Sequence, residues 1–122
     1  MPNDMALLRQ LREVVDERSR RRRSLWLFFV AGTGELLKVA VPIDDIPARP
    51  ESQFIDNLFT ILRGVLTVES DAGSVVLVLT GSDPAANEWA AALRAAAEES
   101  DIELRLVCLA TPGSLDPLPL AA

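Results

Sequence analysis

Three groups of residues have types and spacings that could do chemistry. The first is Thr80-Gly81-Ser82-Asp83-Pro84. It follows an apolar run and precedes a segment that opens with proline, which is where open α/β sheets hold ligands. Free N–H groups at a helix start attract anions. Asp83 brings a negative charge of its own, however, and an aspartate just ahead of a proline-led helix caps those N–H groups itself. A plain capping turn therefore competes with a ligand site. The second group is Asp44-Asp45 with Arg49. Paired carboxylates can offer oxygens to Mg²⁺, but this pair stands alone, and adjacent loop side chains often diverge. A solvated loop with a local Asp–Arg contact is the simpler account. The third is Arg18, Arg20, Arg21, Arg22 and Arg23. A basic run can meet phosphates, yet no aromatic residue is interleaved to stack on bases. Its plain role is to complement the negative end of the helix before it.

Other chemistry is missing from the chain. It has no histidine and no tyrosine. The absence of histidine removes the commonest general base and zinc ligand together. Cys108 sits inside an apolar run with nothing to activate it, so it reads as a buried, inert thiol. Gly32-Thr33-Gly34 precedes a strand-like run rather than a helix, which makes it a turn and not a phosphate loop. No catalytic residue, metal site or cofactor is expected, and the chain reads as a non-enzyme.

Charge narrows the partners. The net charge is −6, but residues 1–23 hold seven arginines and four acids, a net +3. The remainder is strongly acidic and should repel nucleic acid and anionic lipid, so nucleic acid is not an expected partner. A single cysteine fits a reducing compartment. The apolar stretch 25–30 is far too short to span a bilayer or form a signal core. The expected setting is the cytoplasm, with no membrane contact, and the bias toward arginine over lysine resembles high-GC bacterial coding.

The elements that must position these residues follow from periodicity. The length, 122 residues, is that of one domain. Residues 1–23 form an amphipathic N-terminal segment with an Arg-rich end. Within it, Leu7, Leu8, Leu11, Val14 and Val15 recur at helical spacing over 4–19. Ser24–Ala31 is a continuous apolar run of strand length, and a Gly-containing loop joins it to a second run over 35–43, a β-hairpin pattern. Pro47 and Pro50 keep 44–50 out of a helix. A second helix spans about 51–68. Phe54, Ile55, Leu58, Phe59, Ile61, Leu62, Val65 and Leu66 make it apolar over much of its girth, so it should be the most buried helix. Residues 74–80 are β-branched and apolar throughout, as in a strand covered on both faces. A third helix over about 84–100 and a fourth strand over 102–110 follow. Residues 111–122 form a Pro-containing extended tail. The expected fold is α/β in the order α-β-β-α-β-α-β. The sheet is mixed, with an N-terminal antiparallel hairpin and a right-handed parallel β-α-β unit, in two or three layers.

The order of elements and the strand–loop–helix at 75–97 resemble the JAB/MPN group within the cytidine-deaminase-like folds. In that group a strand ends in a His-x-His-Pro loop and a Ser-x-x-Asp opens the next helix. The equivalent stretch here, Leu77-Val78-Leu79-Thr80-Gly81-Ser82-Asp83-Pro84, has neither histidine, and Glu88 is the only acid near the place of the helix aspartate. The resemblance implies a catalytically dead relative, since without ligands there is no activated water, and such relatives tend to be scaffolds and dimerisation partners. The phrases Val41-Pro42-Ile43-Asp44-Asp45-Ile46-Pro47, Asp56-Asn57-Leu58 and Leu109-Ala110-Thr111-Pro112 also resemble those of small actinobacterial proteins, a likeness that brings no activity with it.

Hydrophobic residues make up 49% of the chain and the mean hydropathy is +0.22, which leaves apolar surface for a partner. The leading expectation is a non-catalytic interaction domain, homodimeric or bound to another protein. The contact would use the apolar face of the first helix or the free edge of the hairpin. The alternative is a small-ligand or anion-binding domain using Thr80, Gly81, Ser82 and Asp83 with Asp44, Asp45 and Arg49.

Overall fold

The computed structural model describes residues 4–15, 23–47, 49–68, 72–81, 86–111 and 113–118. In chain order the elements are α1 (Asp4–Val14), β1 (Ser24–Ala31), β2 (Leu36–Asp44), α2 (Ser52–Val68), β3 (Ala72–Thr80), α3 (Ala86–Glu99), β4 (Leu104–Thr111) and β5 (Ser114–Pro117). The strands form one mixed sheet of order β2-β1-β3-β4-β5. β1 is antiparallel to both β2 and β3, β3 and β4 are parallel, and β5 folds back antiparallel on β4. The expected α/β class, hairpin and parallel β-α-β unit are all present.

The hairpin turn follows from its glycines. Ala31 N–H donates to Glu35 C=O, and Gly34 N–H donates to Ala31 C=O, each at 2.8 Å. Gly34 takes φ 96°, the left-handed residue that closes a three-residue hairpin loop.

The alternation of side chains explains the layers. Leu25, Leu27 and Phe29 of β1 point to one face, where they join Leu58, Leu62, Trp89 and Leu93 of α2 and α3. Phe28 and Val30 point to the other face and meet Leu7, Leu8, Leu11 and Val15 at the N-terminal helix. The domain therefore has three layers, one helix above the sheet and two below. β3 is covered on both faces, with Val75 to Leu79 no more than 2% exposed, as its unbroken apolar run requires.

The ends differ from expectation in one place. The first helix is described over Asp4–Val14, and the rest of its expected span to residue 19, with Arg18, Arg20, Arg21 and Arg22, lies outside the described residues. The tail contains a fifth strand. Thr111 and Ser114 pair across a turn in which Gly113 takes φ 93°, and Leu115 beyond it is buried in the α1-side core. A strand of four residues ending at Pro117 escapes sequence periodicity because it offers a single buried side chain. Among the described residues no helix is long and apolar enough to cross a membrane.

Candidate functional site

The strand directions bring the two candidate loops to the same end of the sheet. β2 and β3 both run opposite to β1, and β4 runs with β3. The carboxyl ends of β2, β3 and β4 therefore emerge together, beside the start of β1. One row crosses the whole sheet at this end: Asp44 opposite Ser24, Ser24 opposite Thr80, Thr80 opposite Ala110, and Ala110 opposite Leu115. Two strand spacings separate Asp44 from Thr80, about 10 Å.

Thr80 is 1% exposed, and its hydroxyl is engaged within the sheet. It accepts the Ser24 N–H at 3.1 Å and pairs with the Ser24 hydroxyl. This clasp ties β1 to β3 and satisfies two buried polar groups. Gly81 is buried with φ 90°, a conformation that side chains rarely adopt, so the chain can leave β3 sharply there. Ser82 and Asp83 lie outside the described residues.

On the β2 side, Asp44 and Asp45 are both exposed. Asp45 holds φ 57°, the left-handed region that aspartate tolerates better than most residues. Its N–H donates to Arg23 C=O at 3.1 Å, which extends the β1–β2 ladder by one step. Arg23 and Arg49 are exposed. Among the described residues no ion pair joins Arg49 to either aspartate, so the local Asp–Arg contact does not form. Nor do three or more potential metal-ligating side chains converge anywhere among the described residues. The structure thus gathers Asp44, Asp45, Arg23, Thr80 and Gly81 at one end, with the polar groups solvated and the Thr80 hydroxyl turned into the sheet.

A shallow groove of about 250 Å³ lies between α2 and α3, floored by Ile55, Ala92 and Ala96 and rimmed by Glu51, Asp56 and Glu99. Its three carboxylates give it negative charge, but it presents no buried polar side chain to orient a ligand.

Sequence reasoning passed over the outer face of α2. Expected to be the most buried helix, α2 buries only Ile55, Leu58, Phe59 and Leu62. Ile61 is 47% exposed and Val68 79% exposed. The available signal was Gly64 between them, the single glycine of the helix. The apolar face of α1, one of the two expected dimer surfaces, is largely spent on the chain's own sheet: Leu7, Leu8, Leu11 and Val15 are buried, while Val14 stays 46% exposed and Met5 72% exposed.

No protein-family model and no curated protein matches this chain.

Proposed function

We propose that the chain is a non-catalytic interaction domain that works in the cytosol by contact with protein, foremost a second copy of itself. The observation that carries this reading is the exposed aliphatic pair Ile61 and Val68 on α2, on a chain whose net charge is −6. Apolar side chains left in water beside a completed core are what a partner would cover. The resemblance to histidine-less JAB/MPN relatives supports a scaffold role. Sedimentation of the full chain across the micromolar range, combined with affinity capture from nuclease-treated lysate, tests the reading. Concentration-dependent association or one abundant specific partner is expected. A strict monomer that captures nothing would remove it.

A second reading, a small-ligand or anion-binding domain, rests on the convergence of the carboxyl ends of β2, β3 and β4, the usual ligand position of such sheets. Inorganic phosphate tests it. Saturation at a hundred times Kd should add about 2.7 kcal/mol to the unfolding free energy, and an unchanged melting curve dismisses it.

A further inference from the structure

We propose that the cavity between α3 and the amino end of β4 is the seat of the chain's own residues 119–122, with the Leu120 side chain filling it and a backbone carbonyl of that segment accepting the Arg94 Nε–H. This goes beyond the interaction-domain reading and does not depend on it.

The cavity has a volume of about 300 Å³ and is walled by Arg94, Ala97, Glu98, Ile102 and Leu104. Ala97, Ile102 and Leu104 make it apolar, and Glu98 is exposed to solvent. Arg94 adds a polar group that lacks an answer. Its Nη2 donates to Leu118 C=O at 2.9 Å, but its Nε is buried and has no acceptor among the described residues. A buried donor on a charged group left without an acceptor is costly, and such groups are few in a finished fold. The occupant that suits this cavity is apolar and carries an acceptor oxygen close to its apolar part. An aliphatic residue in an extended chain has both.

The chain leads such a residue to the cavity. Leu118 N–H donates to Val107 C=O at 2.7 Å, one step beyond the last β4–β5 pair, Cys108 with Pro117. β5 is antiparallel to β4, so the path beyond Leu118 heads toward the start of β4, where Leu104 and Ile102 stand. Residues 119–122 read Pro-Leu-Ala-Ala and lie outside the described residues. Two extended residues reach about 7 Å. Arg94 both holds Leu118 and walls the cavity, which puts the cavity within that reach. Leu120 comes two places after Leu118, so an extended chain presents both on one face. That face is the one on which Leu118 packs against the core under α2 and α3. The prolines fit the same path. Alternate residues of an edge strand turn their N–H groups away from the sheet. The Leu118 N–H points inward, so Pro117 and Pro119 take the outward places, where a missing N–H removes no ladder bond.

Tethering selects this occupant over a free peptide. A segment that starts one residue from the cavity is present there at an effective concentration on the order of millimolar. None of its four residues is charged, so the acidic body does not oppose its seating. Once seated, it covers the part of the β4 edge that β5 leaves unpaired, an edge that would otherwise accept a foreign strand.

The test is nuclear magnetic resonance and thermal melting of the full chain with Leu120→Ala, Leu120→Asn and Leu120→Met. In the wild type the Leu120 methyls should cross-relax with the methyls of Ile102 and Leu104. The Arg94 Nε–H should exchange with water about tenfold more slowly than in Leu120→Asn. Leu120→Ala should lower the melting temperature by roughly 4 °C and Leu120→Asn by more. Leu120→Met, which keeps the volume, should melt closer to the wild type than either. Leu120 methyls that touch neither residue, together with three variants that melt with the wild type, overturn the proposal. Cross-relaxation found only between a labelled and an unlabelled copy also overturns it, because the segment then sits in the cavity of a second chain.

Discussion

At the scale of single residues, two positions do structural work that sequence alone could assign to a ligand or leave unremarked. Thr80 stands at the strand end where a ligand hydroxyl would stand, yet it spends its oxygen on Ser24. Thr80→Val keeps the shape and removes the acceptor, leaving the buried Ser24 N–H without its partner. It should cost about 1–3 kcal/mol in urea unfolding, whereas Thr80→Ser, which keeps the hydroxyl, should cost less. A neutral valine variant would show that the clasp contributes nothing. Asp101 is the converse case. It ends α3 in the left-handed conformation, φ 57°, while Ile102 N–H reaches back to Ala97 C=O and Asp101 N–H to Glu98 C=O. This is the Schellman arrangement, which favours glycine at the left-handed position. Asp101 also adds a negative charge at the negative end of the helix, beside Glu98 and Glu99. Asp101→Gly should therefore stabilise the chain by about 0.5–1 kcal/mol, read as a higher urea midpoint with an unchanged slope.

At the scale of elements, α1 depends on its dock. Eleven residues fall short of the length at which a helix persists alone in water. Its hold is the row Leu7, Leu8, Leu11 and Val15, together with Arg12, whose Nε and Nη2 both donate to Leu115 C=O at 3.2 and 3.1 Å. Its ion pair with Asp116 is long, 3.5 Å, and exposed, so it adds little. Arg12→Met should therefore cost about 1 kcal/mol and speed hydrogen exchange of the α1 amides, while Asp116→Asn should stay within about 0.5 kcal/mol of wild type. Equal losses in the two variants would move the weight from the carbonyl to the ion pair. The longer elements were legible in the sequence because each has a period or an unbroken apolar run. Ser24–Ala31 was bounded to the residue, and α2 and β3 to within one or two. β5 was missed because a four-residue edge strand with one buried side chain has no period to detect. The candidate mouth was half legible. Its residues could be named, but their convergence depended on strand directions, and the engagement of Thr80 depended on Ser24, 56 positions away in the chain. The exposed apolar stripe of α2 was hidden for another reason. Ile61 and Val68 count as core in any pattern, and only the packed structure shows which apolar stripe faces out.

At the scale of the whole molecule, the two faces of the sheet are unequally covered, with α1 alone above and α2 and α3 below. The charge is unequal too, with a basic N-terminal segment and an acidic remainder. That inequality makes salt a probe of how two copies meet. If they meet through uncharged apolar surface, the net long-range force between them is repulsion between two chains each of charge −6. The screening length falls from about 10 Å at 0.1 M salt toward 3 Å at 1 M, so repulsion fades while the apolar contact stays. The dimer should then tighten by a few-fold between about 50 mM and 500 mM sodium chloride, chiefly through faster association. The opposite result has a definite meaning. A dimer that loosens as salt rises is held by attraction between unlike charges, and in this chain the unlike charges are the arginines of residues 18–23 and the carboxylates of the remainder. Sedimentation at four salt concentrations separates the two. A positive dependence of association on salt places the contact on uncharged apolar surface, and a negative one moves it to the arginines.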